Sequence, residues 1–164
     1  MIPLVRAAVL LALLALGACA EQRHPLDGYL AQLRPDAPSA LPGMAGPAGT
    51  LLCPLAPYQS ELRGAAPLAD RVNAFLKQKR FQGDEGHWSL VVVKPVPAGD
   101  AGIEQLVFER GDYDVINDPQ LMRRDALAMP AGFAQQACVS VEQARVLATR
   151  TPGSGRKVIV FGSA

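Results

Sequence analysis

The chain has 164 residues, with 16 Lys and Arg against 15 Asp and Glu, and 49% of its residues are hydrophobic while only 5% are aromatic. A near-neutral balance lacks the basic face that a nucleic-acid partner requires. The length allows one domain with its own core, not comfortably two.

The first segment in chain order has Arg6 as its only charge, followed by an unbroken run of Ala, Val and Leu from Ala7 to Leu16 and then Gly17 and Ala18. This is the layout of a cleaved signal peptide over residues 1–18. A spanning helix needs about 20 apolar residues, and Glu21, Gln22, Arg23 and His24 follow the run almost at once.

Leu16, Gly17, Ala18 and Cys19 resemble the lipobox of bacterial lipoproteins, in which a leucine and two small residues precede the lipidated cysteine. The resemblance covers the first nineteen residues. It implies that the Cys19 sulfur receives a diacylglyceryl group, that cleavage leaves Cys19 first, and that its amine is acylated by a fatty acid such as palmitate. Two or more acyl chains turn marginal membrane binding into stable anchoring, so the mature protein is expected to be tethered, not spanning. Ala20 stands where an Asp would imply inner-membrane retention, so the resemblance implies the outer membrane, facing the periplasm.

Cleavage leaves 146 of the 164 residues, and the loss of Arg6 leaves the mature chain formally neutral. With Cys19 acylated, Cys53 and Cys138 form an even pair in an oxidising compartment, where a disulfide is expected; two buried thiols are the alternative. A zinc site lacks a CxxC or a paired histidine to complete its ligands.

Residues 19–50 read as a lipidated N-terminus and a Pro/Gly-rich linker. Pro25, Pro35, Pro38, Pro42 and Pro47, with Gly28, Gly43, Gly46 and Gly49, block regular structure. Only Leu26, Leu30 and Leu33 have helical spacing, which suggests a two-turn helix near the membrane. A single domain over residues 51–164 follows. Its main helix is expected over Pro67 to Arg80, with Leu68, Val72, Phe75 and Leu76 as one apolar stripe. Trp88 to Val93 and Ile103 to Glu109 read as strands joined by the Pro/Gly-rich connection Lys94 to Gly102. Pro119 to Ala128 reads as a short helix capped by Asp118. Ala137 to Val141 reads as a strand. The C-terminus reads either as a helix over Glu142 to Ala148 or as a hairpin of Arg145–Thr149 with Lys157–Phe161, the hairpin being preferred. The expected fold is α+β: an antiparallel sheet of about four strands with one main helix packed on it, after the linker.

Few residues carry chemistry. His87 is the only histidine of the 51–164 domain, and it follows Asp84 and Glu85. A general base needs an orienting partner and a nucleophile within reach, and no G-x-S-x-G elbow or second histidine accompanies it. Asp112, Asp114, Asn117 and Asp118 crowd one stretch, as a calcium loop would. Ile116, Asn117 and Arg123 break the EF-hand pattern, so turn formation and helix capping are the expected roles. Pro152 to Gly155 before Arg156 and Lys157 lacks the spacing of a phosphate loop. Trp88, Tyr113, Phe133 and Phe161 are expected in the core.

No catalytic residue, metal or cofactor is therefore expected. The first expectation is a noncatalytic lipoprotein that binds or assembles another envelope protein. A second is an inhibitor or immunity protein against a lytic enzyme; the size and anchoring are similar to those of lysozyme-inhibitor lipoproteins, whose motifs this chain lacks. A third is a small periplasmic hydrolase using His87 with Asp84 or Glu85.

Overall fold

The structure, a computed structural model, describes residues 24–44, 46–95 and 102–164. Cys19 and the signal segment 1–18 lie outside the described residues, as does most of the connection expected over Lys94 to Gly102.

The stretch Trp88 to Val93 is buried at every residue, and a strand of that kind must be covered on both faces. It forms most of β3 (His87–Val93), which pairs antiparallel with β2 (Leu51–Leu55) on one side and β4 (Ile103–Glu109) on the other. The two-residue strand β7 (Val139–Ser140) completes this sheet against β2, giving the order β4-β3-β2-β7. A second sheet has the order β1 (Pro38–Ala40), β8 (Arg145–Arg150), β9 (Lys157–Ser163), β5 (Tyr113–Val115), and β6 (Ala134–Gln135) also pairs with β9. Its one parallel pairing is β5 with β9. Gly162 is required where β6 meets β9, because a Cβ there would fall 2.2 Å from the Ala134 carbonyl oxygen.

The sheets face each other across one core. Leu52, Leu90, Val92 and Phe108 come from the first sheet, and Val115, Val146, Ala148, Ile159 and Phe161 from the second. Trp88 stacks on Phe108, with ring centroids 4.2 Å apart. The outer face of the first sheet, Cys53, Leu55, Val91 and Val93, is covered by Val72 and Leu76 of helix α2 (Leu68–Gln78). The outer face of the second, Leu147, Val158 and Val160, is covered by Met122 of α3 (Pro119–Arg124) and by Leu127 and Phe133 behind it. Both sheets are thus buried on both faces, which is why WSLVVV and KVIVF read as continuous apolar runs and not as alternations.

This overturns the expected α+β fold of one main helix on a four-strand sheet. The described residues form nine strands in two sheets, with three helices. The physical reason is the short strands: β1, β5, β6 and β7 have two or three residues each, too few to show a period, and they pair through neighbours distant in sequence. Of the expected strand Ala137–Val141 only Val139–Ser140 forms one, β7, and β6 just before it belongs to the other sheet. The stretch expected to be a linker is also built in. Leu26 and Leu30 of α1 (Pro25–Gln32), with Leu33 just beyond it, lie in the core between the sheets, and β1 pairs with β8. Lys157 Nζ donates to the Ala31 and Leu33 carbonyls at the C-terminal end of α1, where the helix dipole favours a cation. Tyr113 donates to Asp27 across 2.7 Å.

Several expected elements are present, although the short helix expected over Pro119 to Ala128 ends at Arg124. The main helix, the two long strands and the closing hairpin of β8 with β9 are present. Asp118 caps α3 by accepting from the Gln120 N–H at 2.8 Å. Cys53 and Cys138 form a disulfide.

Candidate functional site

The sequence drew attention to His87, and the structure places it as the first residue of β3, at the mouth of a groove on the outer face of the first sheet. Residues His87, Ser89, Gln105 and Val107 share that face, because β3 and β4 alternate in register with His87 opposite Glu109 and Ser89 opposite Val107. The C-terminal end of α2 forms the other wall, with Lys79, Arg80 and Phe81, and the groove has a volume of about 380 Å³.

Of the two carboxylates beside His87, the fold selects Asp84. Its Oδ1 lies 2.9 Å from His87 Nδ1 and its Oδ2 3.1 Å, and the hydrogen bond from His87 holds the Asp84 carboxyl below its ordinary range. Glu85 turns away and accepts from the Tyr58 hydroxyl at 2.9 Å. That bond to Glu85 raises the Tyr58 pKa. Chemically, the Asp84–His87 pair is a base with its orienter. The hydroxyl next along the same face, Ser89, is 1% exposed and accepts from Gln105 Nε2 at 3.1 Å. It is committed to the sheet.

Two features of the rim were illegible in the sequence. Tyr58 and Val107 are the large hydrophobic residues left exposed among those described, at 66% and 54%, and each has a tie to this groove. Val107 lines it, while the Tyr58 N–H donates to the Asp84 carbonyl at 2.9 Å. Moreover Tyr58 and Arg80 adopt left-handed backbone conformations, φ 64° and 52°. Arg80 follows Lys79, the C-cap of α2, and the Phe81 N–H returns to the Leu76 carbonyl and the Arg80 N–H to that of Lys77. This is the Schellman arrangement, in which the left-handed position favours glycine. An arginine there costs about 1 kcal/mol relative to glycine. Arg80→Gly is accordingly expected to raise stability by about that amount in urea denaturation. Gly83, by contrast, is obligatory: a Cβ there would lie 2.6 Å from the Gln59 carbonyl oxygen.

No family model, curated protein or solved structure matches this chain. The reading of the site therefore rests on its geometry.

The oxygen-rich stretch Asp112 to Asp118 does not converge on a point. Asp114 accepts from Arg110 Nε and, at 2.7 and 3.0 Å, from Arg156 Nε and Nη2. Asn117 Nδ2 donates to the Pro54 carbonyl at 2.6 Å, Asp118 caps α3 and pairs with Arg63, and Asp112 is exposed. Among the described residues no group of three or more His, Cys, Asp or Glu side chains could hold a metal ion. Trp88, Tyr113 and Phe161 lie in the core between the sheets, and Phe133 under α3. The Pro152–Gly155 stretch is the turn of the β8–β9 hairpin.

Asp114 instead ties the β4–β5 connection to β9. Burial pushes its carboxyl up, but the bonds from Arg156 and Arg110 outweigh this and hold it below the ordinary value. A depressed carboxylate stabilises the fold above its unfolded pKa, about 3.9, and the contribution is lost as pH falls through the lower folded value. Asp114→Asn is expected to cost about 1 to 2 kcal/mol at neutral pH, since both arginines reach the surface. The difference from the unaltered protein should narrow as thermal unfolding is followed down to about pH 3.

Proposed function

We propose that this protein is a lipid-anchored lipoprotein of the bacterial envelope that binds another envelope protein, through the groove between the end of α2 and β4. The observation that carries the binding reading is exposed apolar surface at one place: Val107 lines the groove, and Tyr58 is hydrogen-bonded to Asp84 of its lining. Tyrosine and arginine are favoured at the centre of protein interfaces. Arg80, kept in a conformation that glycine would hold at lower cost, adds a side chain that the helix end itself does not need. The lipobox of Leu16 to Cys19 supports the anchor, and the Cys53–Cys138 disulfide fits an oxidising compartment. A periplasmic hydrolase is the reading that the Asp84–His87 pair supports, and inhibition of a lytic enzyme is the protein-binding reading with the partner specified.

A photoreactive residue introduced at Val107 in cells is expected to capture one envelope protein, and the same residue at exposed Gln120 on α3 is expected not to. Tyr58→Ala in the chain that carries the photoreactive residue at position 107 should reduce capture at least tenfold, with a stability change of about 0.5 kcal/mol because the site is exposed. Arg80→Gly should weaken capture while stabilising the fold. Recovery of bulk membrane proteins from both positions, together with substrate turnover abolished by His87→Ala, would sink the proposal in favour of the hydrolase. Lysozyme assayed with and without the protein identifies the inhibitor case.

A further inference from the structure

The folding of residues 24–50 into the core changes how the anchor holds the domain. Leu26, Leu30 and Leu33 are buried between the sheets, and only four residues, 20–23, separate Cys19 from His24, the first described residue. At no more than about 3.6 Å per residue, Cys19 lies within roughly 18 Å of His24. The domain is therefore held against the bilayer by the surface around the start of α1.

That surface contains a pocket of about 320 Å³ lined by His24, Pro25, Leu26, Tyr29, Pro42 and Met44, with Gly43 at its edge. Its lining carries no formal charge, whereas the grooves along α2 and the pocket at the β8–β9 turn each include charged side chains. Two of its polar atoms are already engaged: His24 Nδ1 accepts from the Leu26 N–H at 3.2 Å, and the Tyr29 hydroxyl donates to the Ala40 carbonyl at 2.6 Å. Covering it with hydrocarbon leaves those bonds intact, which keeps the cost of burial low, and a tyrosine with an apolar ring and a bonded hydroxyl suits a membrane interface.

From the short tether and the uncharged lining, which rest on the lipoprotein reading above, we infer that this pocket is a lipid-contact surface that seats the domain on its own bilayer. The first sheet lies between α1 on its inner face and the Val107 groove on its outer face. Seating the pocket on lipid therefore turns the groove away from the membrane.

The test uses the full-length protein in vesicles of phosphatidylethanolamine and phosphatidylglycerol with brominated acyl chains, which quench tryptophan on contact. Met44→Trp is compared with Lys77→Trp on the exposed side of α2, with buried Trp88 common to both. Quenching of the position-44 tryptophan at least twofold greater than that of the position-77 tryptophan is expected. Equal quenching, or stronger quenching at position 77, would overturn the inference. Pro42→Trp reads the same surface if Met44→Trp disturbs folding. The mass of the Cys19 peptide is read on the same sample. Unacylated Cys19 removes the anchor and the inference together, whereas acylated Cys19 without quenching at positions 42 and 44 removes the inference alone.

Discussion

Deleting residues 1–50 is expected to leave a chain that does not fold, although residues 51–164 contain every long strand. The deletion strips Leu26, Leu30 and Leu33 from the core, where they are 3%, 0% and 8% exposed. Fully burying a leucine contributes about 1.5 to 3 kcal/mol, so the three together amount to roughly 5 to 9, against a total stability of about 5 to 15 kcal/mol for a typical domain. The deletion also removes the β1–β8 pairing and leaves Tyr113, buried at 1% exposure, without its acceptor Asp27. A buried hydroxyl left unpaired costs about 1 to 3 kcal/mol more. Circular dichroism of the 51–164 fragment should show a loss of strand signal and of cooperative melting. The point substitution Leu30→Ala is the graded version, expected to cost about 3 to 5 kcal/mol. A fragment that melts like the full chain would return residues 24–50 to the status of a linker.

The same segment shows how far the sequence could be read. The spacing of Leu26, Leu30 and Leu33 marked a short helix in the right place. What it could not show is that the helix packs between two sheets, because its partners, Trp88, Tyr113 and Ile159, are distant in the chain. Strands were legible where β-branched residues ran for six or seven positions, as in Trp88–Val93 and Lys157–Phe161. They were not where two or three residues sufficed to complete an edge. The unbroken burial of those long strands implied cover on both faces, and counting one helix for one sheet left a face without cover. At the groove, His87 with Asp84 stood out through the rarity of histidine. Tyr58 did not, since it reaches Glu85 across a sequence separation of 27, and nothing in the residue types signals the left-handed backbone at Tyr58 and Arg80.

Removing the disulfide, as Cys53→Ala with Cys138→Ala or by reduction, is expected to cost about 4 to 5 kcal/mol, the second largest effect. The bond joins positions 85 residues apart, and constraining a loop of that length in the unfolded chain accounts for a figure of this size in the loop-entropy description. Its place in the fold indicates which part loosens first. Cys138 lies between β6, on the second sheet, and β7, on the first, and each of these strands holds its sheet by only two residues. Cys53 is in β2, buried beneath α2. The bond therefore fastens the β6–β7 crossing from sheet to sheet to the middle of the first sheet. Without it the Phe133–Val141 stretch should lose amide protection before β3 or β9 does, since local opening follows the elements with fewest fixed contacts. Urea denaturation with and without reductant measures the first expectation, and hydrogen exchange resolved along the chain measures the second. A loss spread evenly over both sheets would show that the bond stabilises through the unfolded chain alone, with no local hold on the crossing.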